Sequence, residues 1–318
     1  MTDKEKYRLL CETETAIPIF SQAWWLDAVC GETNWDVALV EEHNQIVAAM
    51  PFYRPLKHVI SMPSYTQTMG PLLFQESTNC KYTTLLSKRQ SLYKQLIDRL
   101  PPVTSFLQNF SYTVTDWLPF YWAGFQQTTR YTYVLKNIQQ KETIWKNMSL
   151  NIQRNIRKAR ERYHISVKKG ISIDEFLSVQ AQTFERQHIR LKQKDIHTLR
   201  RLISICQERK QGDLWGGYDE QGQLHAAVFI AWQNQTAWYL AGGGCPILRN
   251  SGAHSLIMWE CIQYVSLFTD TFDFEGSMIP GVEQFFRAFG ATQTPYFTIK
   301  KGKLSLLDRV YLKLKAWK

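Results

Sequence analysis

The chain has 318 residues, of which 44% are hydrophobic and 14% are aromatic, enough to fill two domains of ordinary size. This composition excludes a disordered chain, and no run approaches the ~18 consecutive apolar residues of a membrane-spanning helix. The first residues, MTDKEKYRLL, contain no apolar signal core. We therefore predict a globular cytoplasmic protein.

The cysteines show no spacing typical of a metal site or of a disulfide framework. They are Cys11, Cys30, Cys80, Cys206, Cys245 and Cys261. In a cytoplasmic protein we expect reduced, mostly buried thiols and no bound metal.

The formal charge of +10 is concentrated in two segments. Residues 141–169 carry a net charge of +7 and residues 300–318 one of +6, so the rest of the chain is slightly acidic. Basicity is therefore a property of two local surfaces and not of the whole protein.

Two segments of similar sequence indicate an internal repeat. "EEHNQIVAAMPF" at 41–52 and "DEQGQLHAAVFI" at 219–230 share one pattern at an offset of 178 residues. Each follows a strand-like stretch, and the turn residues Asn44 and Gly222 tolerate positive φ, so both segments predict β-hairpins. Helix-like sequence precedes each hairpin, which favours two similar halves over a chance match between two ordinary hairpins.

The second half continues with alternating strand and helix patterns, which predict a mixed α/β sheet. The predicted elements are a strand at 236–244, a helix at 253–268, a strand at 272–275, a helix at 281–289 and a closing strand, PYFTIKK. The basic stretch 141–169 predicts a linking helix whose apolar stripe is Ile144, Met148, Ile152, Ile156 and Ala159.

The stretch "YLAGGGCPILRNSGAH" at 239–254 joins a strand end to a helix start through glycines and an arginine. Unpaired N–H groups and the positive end of the helix dipole make such a junction suitable for a pyrophosphate. The alternative is that Ser251 simply caps a core helix. The predicted anion-binding residues are Arg249, Asn250, Ser251, Gly252, Ala253 and, at the strand end, Gly243.

Two acids occur in "FDFEGS" at 272–277. In a strand, Asp273 and Glu275 would share one face, opposite two phenylalanines, and we predict that this face meets an acceptor amine. The alternative is a solvated strand edge or an ion pair with Arg287. Tyr239, on the strand before the glycine loop, is a third catalytic candidate, as a hydrogen-bond donor, although tyrosines at such positions are commonly core residues.

These stretches resemble the Fem-type and related GNAT-like N-acyltransferases. "RNSGAH" is similar to the family's Arg/Gln-x-x-Gly-x-Gly/Ala pyrophosphate loop, with His254 where that family has a small residue. "FDFEGS" is similar to its Asp-Phe-x-Gly segment, and "FFRAFG" at 285–290 to its Phe-Lys-x-x-Phe-Gly. "RNIRKARERYHISV" resembles the basic helix that leads into the second half of these proteins.

The resemblance implies two tandem GNAT-like domains, with the donor site in the second. The implied boundaries are 1–138 for the first half, 139–170 for the linking helix and entry strand, 171–300 for the second half, and 301–318 for a basic tail.

The implied activity is transfer of an acyl group from acyl-coenzyme A to an amine, such as an amino sugar or a cell-envelope precursor. The first alternative is Fem-type transfer of an aminoacyl group from charged tRNA to a peptidoglycan precursor. The second is a non-catalytic scaffold that binds an anionic surface.

Both basic segments have two interpretations. Arg154, Arg157, Lys158 and Arg162 could contact tRNA phosphates, as the resemblance permits, or form a solvated helix face. In the tail 304–318, an apolar stripe of Leu307, Val310, Tyr311, Leu314 and Trp317 among basic residues could contact the inner face of an anionic membrane, or pack on the protein's own sheet.

Overall fold

The structure is a computed structural model that describes residues 1–74, 80–186 and 192–315. The chain forms two compact units, residues 1–130 with 295–318 and residues 131–294. The chain therefore passes from one unit to the other after Arg130 and again after Thr294. The predicted tail, 301–318, lies in the first unit.

The first part of the chain runs from helix to hairpin to alternating helix and strand. Its elements are α1 (Asp3–Thr13), α2 (Ala23–Cys30), β1 (Trp35–Glu42), β2 (Gln45–Leu56), β3 (Val59–Ser61), β4 (Leu72–Leu73), α3 (Tyr82–Asp98), β5 (Ser105–Asn109), α4 (Leu118–Trp122) and β6 (Gln126–Lys136).

The rest of the chain begins with two further helices. Its elements are α5 (Lys141–Asn147), α6 (Leu150–Glu161), β7 (Ser166–Lys169), α7 (Ile173–Arg186), α8 (Gln193–Glu208), β8 (Gly212–Tyr218), β9 (Leu224–Gln233), β10 (Thr236–Gly244), α9 (Ala253–Val265), β11 (Thr271–Asp273), α10 (Pro280–Arg287), β12 (Thr292–Gly302) and α11 (Leu306–Lys315).

Both predicted hairpins are confirmed. β1 pairs antiparallel with β2 through a turn in which His43 and Asn44 have φ of 51° and 63°. β8 pairs antiparallel with β9, and Gly222 in its turn has φ of 76°. Two helices precede each hairpin, as predicted. Each hairpin is followed by strand, helix, strand, helix and strand, except that the two-residue strand β4 is added after β3 in the first half.

The sheets of the two units follow the same plan. In the first unit the strand order is β1-β2-β3-β5-β12, with β3 and β5 parallel. In the second it is β7-β8-β9-β10-β11-β6, with β10 and β11 parallel. All other described pairs are antiparallel, so the predicted mixed α/β fold is confirmed.

The linking helix is broken into two. α5 ends at Asn147, and Ser149 then caps α6, its hydroxyl accepting a hydrogen bond from the Ile152 N–H at 3.3 Å. The break follows from this cap, because a serine side chain competes for the backbone donors of the first helical turn. The predicted apolar stripe is nevertheless buried along its whole length and packs on α9.

None of the described helices has the length and hydropathy needed to cross a membrane. Cys30, Cys206 and Cys261 are buried, whereas Cys80 is exposed. In the described part of the chain, three or more His, Cys, Asp or Glu side chains nowhere converge as a metal site would require.

Candidate active site

The second unit contains an opening in its sheet. β11 pairs with β10 only from Thr236 to Trp238, whereas β9 stays paired with β10 as far as Gly244. Beyond Trp238 one edge of β10 is therefore left without its parallel neighbour. A cavity of about 460 Å³ lies there, and α10 contributes part of its wall.

Most of the predicted donor-site residues line this cavity. Gly281, Val282, Phe285 and Phe286 line it from the α10 side. From the other elements the predicted residues Tyr239, Gly243, Arg249, Ser251 and Ala253 line it. Asn250 and Gly252, also predicted, are not among its lining residues.

A β-bulge aims Tyr239 at this cavity. Tyr239 is paired with Ile230 and Ala241 with Phe229, so Leu240 is an extra residue in β10. The bulge brings Tyr239 and Gly242 to the same face, where any Cβ on Gly242 would collide with the tyrosine hydroxyl. Gly242 thus makes room for the ring that the bulge turns inward.

The loop before α9 has the form of an anion site. Residues 249–251 make one 3₁₀ turn, Gly252 is left-handed at φ 82°, and α9 begins at Ala253. The Ser251 hydroxyl accepts a hydrogen bond from the Ala253 N–H at 3.3 Å. The backbone N–H groups of His254 and Ser255 have no acceptor among the described residues, so they are available to a ligand.

Packing of the loop on α6 requires a glycine at position 252. A Cβ there would overlap the backbone carbonyl oxygen of Asn155 in α6. Gly252 thus allows the close contact between the loop and α6, and its contact with an anion stays a prediction.

Arg186 and His254 are cavity residues to which sequence reasoning gave no role. Arg186, at the end of α7, lines the cavity together with Arg249, so two guanidinium groups face the same space. His254 lies between two aromatic rings, with centroids 6.1 Å from Tyr239 and 5.3 Å from Phe285. Its position two residues after Gly252 was the available signal, since a side chain there must enter or border the site.

The two acids do not share one strand face. β11 ends at Asp273, and Glu275 and Gly276 follow in the left-handed region with φ of 59° and 62°. The prediction of alternation through Glu275 is therefore wrong. The turn is imposed by packing, because a Cβ on Gly276 would overlap the backbone of Tyr131 and Thr132.

Asp273 is fully buried and organises this turn. Its Oδ1 accepts hydrogen bonds from the hydroxyl of Thr132 and, at 2.8 Å, from the backbone N–H of Glu275. These contacts account for a carboxylate in the protein interior. Neither acid is among the residues that line the cavity.

Glu275, in the turn that follows β11, is electrostatically unusual. Its Oε1 is buried and has no hydrogen-bond partner in the described ranges. Burial, and next the charge of Asp273, raise the pKa of Glu275 well above its usual range. Burial, followed by the charge of Glu275, also raises the pKa of Tyr239, so this phenol stays protonated at neutral pH.

A second cavity, of about 580 Å³, adjoins the first. Gly281 and Phe285 line both. Its other walls are largely polar, with Asn147, Ser149, Asn151, Asn155, Gln284 and Arg287. The three asparagines follow one another at four-residue spacing, and their side-chain amides make no hydrogen bond to any described residue.

The basic residues of α6 remain on its outer side. Arg154, Arg157 and Arg162 are exposed and Lys158 is half-buried. Within the described residues, none of the four has an ion-pair partner. The buried stripe of the same helix packs on α9, which directs this basic face to solvent.

His254 gives the site a measurable pH signature. Its Nε2 is buried without a hydrogen-bond partner among the described groups, and burial lowers its pKa to about 4. Between pH 6.5 and pH 4 this imidazole therefore binds a proton in the unfolded chain but not in the folded protein. The free energy of unfolding decreases as the pH falls through this range. The loss attributable to this side chain is about 3 kcal/mol at most.

We expect His254→Phe to reduce the loss of stability between pH 6.5 and pH 4. Phenylalanine preserves the ring packing and cannot take up the proton. The measurement is thermal unfolding of both proteins between pH 4 and pH 8. Above pH 6.5 the two unfolding midpoints should differ little, and below pH 6.5 the midpoint of the variant should fall less than that of the wild type. Parallel midpoint curves across the range would contradict a buried, neutral imidazole.

The part of the chain that contains this site is similar to a known family of domains. Residues 146–287 match the family of acetyltransferase (GNAT) domains, a segment that contains the cavity, its loop and both acids. This part of the second unit is therefore similar in sequence to GNAT acetyltransferase domains. No curated protein matches the sequence significantly.

Solved structures extend the likeness to both units. The crystal structure of FemX has a TM-score of 0.65 at 11% identity, covering 99% of this chain and 98% of that one. The structure of L-PGS from Bacillus licheniformis has a TM-score of 0.54 at 12% identity, covering 99% and 96%. A C-terminal domain named for lysylphosphatidylglycerol synthetase, from Agrobacterium fabrum, has a TM-score of 0.58 at 10% identity, covering 96% and 97%. The chain therefore has a GNAT-type fold of the kind seen in FemX, as the motifs predicted.

Proposed function

We propose that the protein is an N-acyltransferase that moves an acyl group from acyl-coenzyme A to a primary amine. The observation that carries the proposal is the cavity beside β10, which is lined by Arg186, Arg249 and Tyr239 and by the first residues of α9. Cationic groups and a helix N-terminus suit the pyrophosphate of coenzyme A. The open edge of β10 suits the amide-bearing arm that joins the pyrophosphate to the thioester.

In the proposed reaction a neutral amine attacks the thioester carbonyl carbon. The new C–N bond forms as the C–S bond breaks, and the amine proton is transferred while the sulfur leaves as a thiol. Glu275 is the proposed base, because a carboxylate whose pKa is raised by burial is a stronger base than an ordinary exposed carboxylate. Tyr239, protonated at neutral pH, is the proposed donor to the sulfur.

Glu275 also supports an amine as the acceptor. Its buried, unpartnered Oε1, close to Asp273, is stabilised by an incoming ammonium group, which loses one proton to solvent before the neutral amine attacks. Asp273 acts in this scheme as the positioning residue that holds the Glu275 backbone through a 2.8 Å hydrogen bond. An amino sugar or a cell-envelope precursor is the proposed acceptor class.

Transfer of an aminoacyl group from charged tRNA is the second candidate. The exposed, unpaired basic face of α6 supports it, since Arg154, Arg157 and Arg162 can contact phosphates. The amide-lined cavity is compatible with either donor, because coenzyme A and the 3′ end of tRNA both carry an adenosine nucleotide, and asparagine amides can pair with an adenine edge.

Binding measurements with the two donors in parallel test the proposal. We expect coenzyme A to bind with a modest dependence on salt and to be displaced by acetyl-coenzyme A. The tRNA candidate predicts steeply salt-dependent RNA binding that weakens when Arg154, Arg157 and Arg162 are changed to Gln. If the protein binds RNA in this salt-dependent way and does not bind coenzyme A, charged tRNA becomes the favoured donor in place of acyl-coenzyme A.

A further inference from the structure

The last helix of the described chain, α11, exposes an apolar stripe to solvent. Leu306, Leu307, Val310, Tyr311 and Leu314 are 78%, 83%, 56%, 54% and 61% exposed. Single exposed apolar residues are normal on proteins, but a contiguous group on one short helix marks an interaction surface. Four of these residues, Leu307, Val310, Tyr311 and Leu314, belong to the stripe predicted from the sequence, and each is more than half exposed.

The helix is held by its opposite side. Ser305 and Asp308 form a capping pair, in which the serine hydroxyl donates to the Asp308 carboxylate at 2.7 Å and accepts from the Asp308 N–H at 3.0 Å. The other oxygen of Asp308 lies 3.0 Å from Nε2 of His58 in the same unit. Leu312, one turn further along the same side, is half-buried. Because α11 packs through this side, its apolar stripe faces solvent. The alternative, that the stripe packs on the protein's own sheet, is therefore wrong.

Basic residues flank the stripe. Arg309 and Lys313 are exposed one turn apart on α11. Lys300, Lys301 and Lys303 precede the helix, and residues 300–318 carry a net charge of +6. The side chain of Lys315 and residues 316–318, which include the predicted contacts Trp317 and Lys318, lie outside the described residues.

We propose that α11 docks on the surface of an anionic lipid bilayer. Its apolar stripe enters the boundary between headgroups and acyl chains, and Arg309 and Lys313 meet the headgroup phosphates. Charge complementarity selects this occupant over a second copy of the chain, because pairing two identical stripes would bring Arg309 and Lys313 of both copies together. This inference is independent of the proposed acyl transfer, and it locates the protein at the inner face of the membrane.

Flotation of the full-length protein with lipid vesicles tests the inference. We expect binding to vesicles of phosphatidylglycerol and phosphatidylcholine, weak binding to phosphatidylcholine alone, and a loss of affinity with rising salt. The double variant Leu307→Asp, Val310→Asp should bind at least tenfold more weakly. Arg309→Gln, Lys313→Gln should reduce binding about tenfold or more on the anionic vesicles only.

A matched control comes from another exposed leucine. Leu9 of α1 is 52% exposed, and Leu9→Asp should leave vesicle binding unchanged. Circular dichroism and the unfolding midpoint establish that each variant folds. Equal vesicle binding by wild type and the α11 double variant would overturn the proposal. So would a dimer, seen by light scattering and lost in that variant, in a protein that binds no vesicles.

Discussion

Glu275→Gln is expected to lower kcat/KM for acyl transfer by about 10²-fold or more. The substitution keeps the size and shape of the side chain but removes its ability to accept the amine proton. The assay is release of free thiol from acetyl-coenzyme A in the presence of a primary amine. Because ionised Glu275 is the active form and its pKa is raised, the wild-type rate should rise with pH above the usual carboxylate range.

The same variant should not lose stability. Glu275 has a raised pKa in the folded protein, so ionisation of this group costs stability as the pH rises above the pKa of the unfolded chain. Removing the charge is therefore expected to leave the unfolding midpoint at neutral pH unchanged or to raise it. Loss of activity with retained stability separates a catalytic role from a structural one.

Glu260→Gln is the matched control for Glu275→Gln. Glu260 lies on α9 in the same unit, where it pairs with Arg160 at the surface. Its neutralisation should change the transfer rate less than twofold, since surface ion pairs contribute little and the residue lies outside the site. Equal rates for wild type and Glu275→Gln would remove Glu275 from the mechanism.

Gly252→Ala is expected to destabilise the protein by about 2–4 kcal/mol. Two costs add there. An alanine must adopt the left-handed conformation, with φ of 82°, and its Cβ must displace the backbone of Asn155. The loop and α6 would shift apart, which would also weaken binding in the cavity.

Gly222→Ala measures the first cost alone, so its difference from Gly252→Ala gives the second. Gly222 has a similar φ of 76°, but a Cβ there meets nothing within 4 Å. We expect Gly222→Ala to lose only about 1 kcal/mol, the cost of the left-handed backbone alone. Urea unfolding of both variants gives the comparison. Equal losses would mean that the contact between the loop and α6 contributes nothing to stability.

Much of the fold could be predicted because its signals are local. The hairpin turns at Asn44 and Gly222 need residues that accept positive φ, and the apolar stripe from Ile144 to Ala159 has helical period. The start of α9 at Ala253 follows directly from the glycine and serine before it. Each of these features depends on neighbours in sequence, so the sequence alone reveals it.

The features that escaped prediction depend on residues distant in sequence. The turn at Glu275 and Gly276 is set by the backbone of Tyr131 and Thr132, which lie more than 140 residues earlier. The pairing of the last residues of β12 with β5 depends on which sheet edge is free, and a strand's own pattern does not encode that. Arg186 lines the cavity because α7 packs on β10, and no local sequence motif predicts this packing.

Thermal unfolding of the wild type and of Arg249→Ala, each with and without coenzyme A, tests the donor assignment most directly. Arg249 is exposed at the cavity, so its removal should not disturb folding. At a hundredfold excess over the dissociation constant, coenzyme A should stabilise the wild type by about 2.7 kcal/mol, and the variant much less. A well-folded wild type whose midpoint is unmoved by coenzyme A, or an equal shift in both proteins, would contradict the assignment of this cavity to the donor.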